Sequence, residues 1–110
     1  MSPSSAVVIA DVASELPIPE GGVLSRTLHR SEEVRLVGFA FDRDQELTEH
    51  SSALAVTIQV VRGRLAVTLG DDPAIQMGPA SWLHLPPRLP HSVRALEPTV
   101  MLLTMHTSAS

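Results

Sequence analysis

The sequence contains no cysteine, no lysine and no tyrosine. Without cysteine, the chain has no disulfide, no thiolate nucleophile and no cysteine-ligated zinc or iron–sulfur site. Without lysine it has no Schiff base and no lysine general base, and without tyrosine it has no phenolic acid. Any chemistry must therefore use histidine, carboxylates, arginine, hydroxyl groups or a bound metal.

Aromatic and cationic side chains are also scarce. Aromatic residues make up 3% of the chain, namely Phe39, Phe41 and Trp82, so the core must be aliphatic. All eight cationic residues are arginines, scattered between Arg26 and Arg94, and the formal net charge is −4. A nucleic acid partner is therefore not expected, because phosphate recognition needs clustered positive charge.

Long hydrophobic runs are absent too. The apolar run at residues 6–10 is too short to span a membrane, and no basic residue precedes it as in a secretory signal. We therefore expect a cytoplasmic protein without a membrane partner. The 110 residues, 44% of them apolar, fit one compact domain.

Nine prolines and six glycines divide the chain into short apolar runs, which is typical of many short strands. No stretch shows a 3.6-residue period, and residues 42–46 are predicted to form a loop. The pattern predicts an all-β fold that closes into a barrel or sandwich. The predicted strands cover residues 23–29, 34–41, 53–61, 64–69, 74–77, 81–85, 91–96 and 99–106.

Alternation along the strands assigns side chains to faces. In the 53–61 strand, Leu54, Val56 and Ile58 share one apolar face. Continuing this alternation backwards places Ser52 and His50 on the same inward side. The last strand is apolar on both faces at residues 100–103, so its outer side is expected to meet another sheet or another subunit.

The region from residue 44 to residue 63 resembles the first motif of the cupin superfamily, G-x5-H-x-H-x3-E-x6-G. In this alignment His50 matches the first histidine and Gly63 matches the final glycine. Asp44, Ser52 and Val56 replace the initial glycine, the second histidine and the glutamate.

The second cupin motif, G-x5-P-x-G-x2-H, is similar to residues 80–91. Pro86 and His91 match it, whereas Ala80 and Arg88 stand at the two glycine positions. The string LPPRLPHSV at residues 85–93 is also similar to the cupin string around the last metal ligand. The resemblance covers about the last two-thirds of the chain.

The resemblance implies a double-stranded β-helix, or jelly-roll barrel, of two antiparallel sheets over residues 23–106. Residues 1–22 would form an N-terminal segment that is a candidate for strand exchange, and residues 107–110 a frayed tail. Cupins hold a divalent metal with three histidines and one glutamate, of which His50 and His91 remain. Zinc, manganese, nickel or iron would then be held weakly, so low occupancy or no metal is expected. The expected pocket lining is Gln45, Ser52, Leu54, Val56, Ile58 and Met101.

Three functions agree with this sequence. The first is a metal-dependent cupin enzyme acting on a small metabolite. The second is a ligand-binding or sensing cupin whose metal site is vestigial, with two neutral imidazoles that bind a polar group. The third is a dimerisation module, and a homodimer is expected because a barrel this small gains stability from extra burial. His84 and His106 are further candidates for the site, although an outward or subunit-facing position is favoured for His84 and fraying at the strand end for His106.

Overall fold

The computed structural model describes residues 6–107. Within them the chain forms a short 3₁₀ turn (Ala13–Glu15) and nine strands. No helix in this part of the chain has the length and hydrophobicity to cross a membrane. The strands are β1 (Val23–Arg30), β2 (Val34–Phe41), β3 (Glu46–His50), β4 (Val56–Arg62), β5 (Leu65–Leu69), β6 (Ile75–Met77), β7 (Trp82–Leu85), β8 (His91–Ala95) and β9 (Thr99–His106).

The strands form two sheets with antiparallel pairing. One sheet has five strands in the order β1-β2-β9-β4-β7, and the other has four strands in the order β3-β8-β5-β6. From β2 to β9 the chain crosses between the two sheets at every connection except the β5–β6 hairpin, which is the connectivity of a jelly roll. The predicted all-β fold of two antiparallel sheets is confirmed.

The core lies between the two sheets and is almost entirely aliphatic. Every second residue of the central strands points into it, as the alternation predicts. Phe41 is the only aromatic residue in the central cluster of the described chain, and the Phe39 ring packs beside it with the ring centroids 6.0 Å apart. The buried cluster consists of Phe41, Val56, Ile58, Val60, Leu65, Val67, Met77, Leu85, Val93, Ala95, Met101 and Leu103.

Strand β3 corrects the sequence-based boundaries. The loop expected at residues 42–46 is confirmed as far as Gln45. The alternation of the 53–61 strand, however, was continued backwards to His50. Instead, β3 is a separate edge strand that pairs with β8 in the four-stranded sheet, and β4 begins only at Val56. The strand has no alternation to detect, because Leu47 is its only apolar residue and the other four are exposed. His50 and Ser52 therefore do not belong to the sheet that contains β4.

The outer face of the five-stranded sheet is partly covered by the chain's own N-terminal segment. Leu16, which follows the 3₁₀ turn, is 1% exposed and packs against Ala40 and Val100. Gly38 makes this contact possible, since a Cβ atom at this position would overlap the Leu16 side chain. The apolar outer side at Val100, expected to meet another sheet or subunit, is covered by this segment.

Both chain ends were expected to fray, and residues 1–5 and 108–110 lie outside the described residues. Thr107, in contrast, is held by two hydrogen bonds. Its backbone N–H donates to the Glu33 carbonyl (2.9 Å), and its hydroxyl donates to the Glu32 carbonyl (2.7 Å). The last strand is therefore tied to the β1–β2 turn.

Four positions of the two cupin-like motifs have a left-handed backbone. Gly63 has a φ of 90°, and Asp44, Ala80 and Arg88 have φ values of 67°, 69° and 68°. These three are the only residues other than glycine with positive φ in the described chain, and each stands where the motif has glycine. The left-handed region costs an L-residue about 1–2 kcal/mol. The turns of the motif are thus kept although three of its glycines are lost.

Replacing Ala80 with glycine should therefore raise the free energy of unfolding, by about 1 kcal/mol, because glycine adopts this φ without strain. Ala66→Gly, in the regular strand β5, is the matched control and should lower it by roughly 0.5–1 kcal/mol. Urea unfolding of both variants measures the two changes. Equal destabilisation by both glycines would contradict strain at Ala80.

Asp42 links the segment before β1 to the end of β2. Its Oδ2 accepts a hydrogen bond from the Gly21 N–H (2.7 Å), and its Oδ1 accepts one from the Arg43 N–H (2.8 Å). The Gly21 bond, followed by the Arg43 bond, holds the pKa of Asp42 below its ordinary value of 3.8. These bonds favour the ionised carboxylate.

The contribution of Asp42 to stability should therefore depend on pH. A lowered folded-state pKa stabilises the fold above pH 3.8, and this contribution is lost as the pH falls through the lower folded value. Asp42→Asn should destabilise the protein at neutral pH, and the difference from wild type should shrink below pH 3.8. Unfolding curves across this range test the prediction, and a difference independent of pH would contradict it.

Candidate functional site

His50 and His91 face each other across the ladder between β3 and β8. The two residues are Cα partners in this ladder. Their ring centroids lie 4.3 Å apart, with an angle of 59° between the ring planes. The structure thus brings together the two histidines that the cupin motifs single out.

A β-bulge aims His50 at the interior. Leu47 pairs with Val93 and His50 pairs with His91, so three steps along β3 correspond to two steps along β8. Three steps in a regular strand would place Leu47 and His50 on opposite faces, and the extra residue restores them to the same face. Leu47 packs against the core cluster, and Val93 is 2% exposed. His50 therefore points to the inner side for a different reason from the alternation along β4.

Backbone carbonyl groups fix the tautomer of both rings. Nδ1 of His50 lies 2.7 Å from the Thr48 carbonyl oxygen, and Nδ1 of His91 lies 2.9 Å from the Leu89 carbonyl oxygen. Because a carbonyl oxygen only accepts, each Nδ1 carries the proton and donates. The Nε2 atom of each neutral ring is then left with its lone pair, which can accept a hydrogen bond or ligate a metal.

The two rings border an apolar cavity of about 190 Å³ between the sheets. His91 is 3% exposed, whereas His50 is exposed, so His50 lies at the mouth and His91 lies deeper. Apart from the histidines, Ser52 is the only polar residue in the described wall. The lining consists of Val37, Phe39, His50, Ser52, Val56, His91, Leu103 and Met105.

Two of the expected lining residues, Ser52 and Val56, contribute to this wall, and four do not. Ile58 and Met101 are 0% exposed and pack in the core farther along their strands. Gln45 lies beside the four-stranded sheet, where its carbonyl accepts the Ala95 N–H (2.9 Å). Leu54 lies in the connection before β4, where its backbone N–H donates to the Ser52 hydroxyl. The Leu54 side chain does not line the cavity.

Sequence reasoning missed four lining residues, which are Val37, Phe39, Leu103 and Met105. The signal for the first two was present, because β2 matches its predicted boundaries and these residues alternate with the buried Phe41. For β9, which is apolar on both faces at residues 100–103, alternation alone does not say which side is inner.

His84 and His106 lie on the other side of the five-stranded sheet. His106 follows Met105, which lines the cavity, so its side chain points to the opposite face. Its Nε2 lies 2.8 Å from the Thr57 hydroxyl oxygen. The His84 ring stacks on Trp82 at a centroid distance of 6.3 Å and lies 6.1 Å from the His106 ring. Neither residue joins His50 and His91.

The residues at the cavity do not fit a resident metal centre. Catalytic zinc sites have three protein ligands and structural sites have four. The described residues contain no group of three or more His, Cys, Asp or Glu side chains able to hold a metal. Val56 has no donor atom, and the Ser52 hydroxyl is a weak ligand that already accepts the Leu54 N–H. The cavity thus offers two imidazoles in an apolar wall.

The sequence matches no family model and no curated protein. The fold, in contrast, is similar to that of many solved structures. A conserved protein of unknown function from Streptococcus pyogenes has a TM-score of 0.83 at 24% identity, with 97% of this chain and 93% of that chain covered.

Two other similar structures are cupins. A cupin superfamily protein from Desulfitobacterium hafniense has a TM-score of 0.82 at 24% identity, with 88% of each chain covered. An RmlC-like cupin from Desulfovibrio desulfuricans has a TM-score of 0.77 at 25% identity, with 94% of this chain and 96% of that chain covered. This chain folds as a small cupin domain.

Proposed function

We propose that the chain binds a small, mostly apolar organic ligand in the cavity, with His50 and His91 as its polar anchors. The observation that carries this proposal is the orientation of the two rings. Each Nδ1 is held by a backbone carbonyl, so each Nε2 is free to meet a ligand. Apolar clefts with a few convergent polar groups are the usual form of small-molecule sites.

The tautomer limits the chemistry of the ligand. In the neutral form of each ring, the free Nε2 atom accepts a hydrogen bond, which favours a ligand with a hydroxyl or N–H group. The apolar wall favours an aliphatic or aromatic body, since its burial contributes about 25 cal/mol per Å². No step through a metal belongs to this proposal, because the donor set contains only two imidazoles.

The test uses phenol and its methyl ether, anisole, as probes. Phenol donates a hydrogen bond and anisole does not, so phenol should bind more tightly and shift the backbone amide signals of Val37 and Leu103 in NMR spectra. His91→Gln should weaken phenol binding roughly threefold to tenfold, which is the contribution of one hydrogen bond. Treatment with EDTA should leave phenol binding unchanged, and metal analysis after purification without chelator should give far less than one equivalent.

His84→Gln is the matched control, because His84 lies on the outer face, and it should leave phenol binding unchanged. Equal binding of phenol and anisole would contradict the anchoring role of the histidines. Loss of phenol binding on chelation would show that a metal mediates it.

We further propose that two copies of the chain associate, which is a second candidate role. Trp82 is 63% exposed on β7, an edge strand of the five-stranded sheet. Large exposed side chains on an edge strand favour association with a second copy. Val7 and Val8, in the β-prone N-terminal run, are 61% and 81% exposed, and residues 6–10 form no strand within this chain. These residues are candidates for a strand added to the partner's sheet.

Light scattering should therefore give twice the chain mass of 11.8 kDa at micromolar concentration. Trp82→Gln, and separately deletion of residues 1–12, should shift the distribution toward the monomer. Val23→Gln, which replaces an exposed apolar residue outside the proposed contact, serves as the control. A wild-type mass near 11.8 kDa would rule out the dimer.

A further inference from the structure

Arg35 lies beside the cavity on the inner side of β2. It alternates with Val37 and Phe39, which line the cavity, so its side chain starts on the same face. Its Cα partner on β9 is Met105, and Met105 in turn pairs with Val56 on β4. Met105 and Val56 both line the cavity. Directly opposed side chains have Cβ atoms about 4.5–5.5 Å apart, so Arg35 stands next to the wall at the Met105 end.

The Arg35 side chain has no partner in the part of the chain that the structure describes. Its Nε is buried without a hydrogen bond, which is unique among the buried side-chain polar atoms of the described residues. The single ion pair found within residues 6–107 joins Arg94 to Asp44 and does not involve Arg35. A buried donor without an acceptor destabilises the fold by about 1–3 kcal/mol, and more when the group is charged.

A second arginine adds to the positive charge. Arg30 on β1 is the Cα partner of Arg35, so the two side chains start on the same face. Like charges directly opposite each other in a sheet repel. Neither arginine has an ion-pair partner among residues 6–107, so an anion from outside the chain would relieve this repulsion.

We infer that Arg35 binds a carboxylate of the ligand at the Met105 end of the cavity, so that the ligand is a small organic acid. This inference rests on the proposed function of the cavity and names the class of its ligand. The planar guanidinium matches a carboxylate through two parallel N–H···O bonds, and Arg30 adds charge from the neighbouring strand. The apolar body of the acid then lies along Val37 and Leu103, and its donor group reaches the histidines.

The probes are benzoate and its neutral isostere benzamide, titrated into protein with ¹⁵N-labelled arginine. Benzoate should shift the Arg35 Nε–H signal together with the amide signals of Val37 and Leu103, whereas benzamide should leave the Arg35 signal in place. Arg35→Gln should weaken benzoate binding by about tenfold or more, as expected for a charge-assisted bond, without weakening benzamide binding. Arg62 is an exposed arginine at the end of β4, so Arg62→Gln is the matched control and should not change either affinity.

Arg35→Lys covers the case in which the glutamine variant does not fold. It keeps the charge but lacks the planar fork, so benzoate affinity should fall while the fold remains. Equal benzoate binding by wild type and either folded variant overturns the role of Arg35. A benzoate-induced shift at Val37 and Leu103 without a shift at Arg35 also overturns it, yet leaves the proposed cavity function intact. If neither phenol nor benzoate shifts the Val37 and Leu103 signals, the cavity function itself fails.

Discussion

Burial of aliphatic side chains between the five-stranded and four-stranded sheets supplies the free energy that positions every polar group of the site. The chain is short and has three aromatic residues, so this burial comes from many small contributions by valine, leucine and alanine. At the His91 end the two sheets do not fill the space between them, which leaves the cavity. An unfilled apolar space loses packing contacts, and a ligand that enters it restores them.

The polar groups at the cavity are held by backbone rather than by side-chain partners. Thr48 and Leu89 each provide a carbonyl two residues before the histidine that they orient, so the geometry of each contact is local. The Arg88 N–H donates to the Ser52 carbonyl (2.7 Å) and joins the loop that follows His50 to the loop that precedes His91. The orientation of both rings is thus fixed by backbone contacts, and such preorganisation lowers the conformational cost of ligand binding.

The chain preserves the turns of the cupin motifs more faithfully than their metal ligands. Asp44, Ala80 and Arg88 retain the left-handed conformation that glycine would adopt without strain. The conformation of each turn is required to connect strands of the fold, so it is kept even where a residue other than glycine must adopt a strained φ. A metal ligand, in contrast, is needed only for metal binding. Ser52 and Val56 replace the second histidine and the glutamate of the motif, so the fold does not depend on these two ligands.

Alternation predicted the all-β fold and the boundaries of β2 and β9, whereas the resemblance to the cupin motifs implied the jelly roll and singled out His50 and His91. These features depend on local patterns, in which every second residue of a half-buried strand must be apolar. The sequence did not reveal β3, because an exposed edge strand has no apolar alternation, and it did not reveal the bulge that turns His50 inward.

The docking of Leu16 over Gly38 and the placement of Arg35 beside Met105 were likewise decided only by the tertiary structure. Both join residues that are far apart in the chain, and no pattern within either segment contains the other. The sequence determined the all-β fold through its periodicity, and its motif spacings singled out His50 and His91. The shape of the cavity and the charge beside it depended on strand register, which is set when the two sheets pack together.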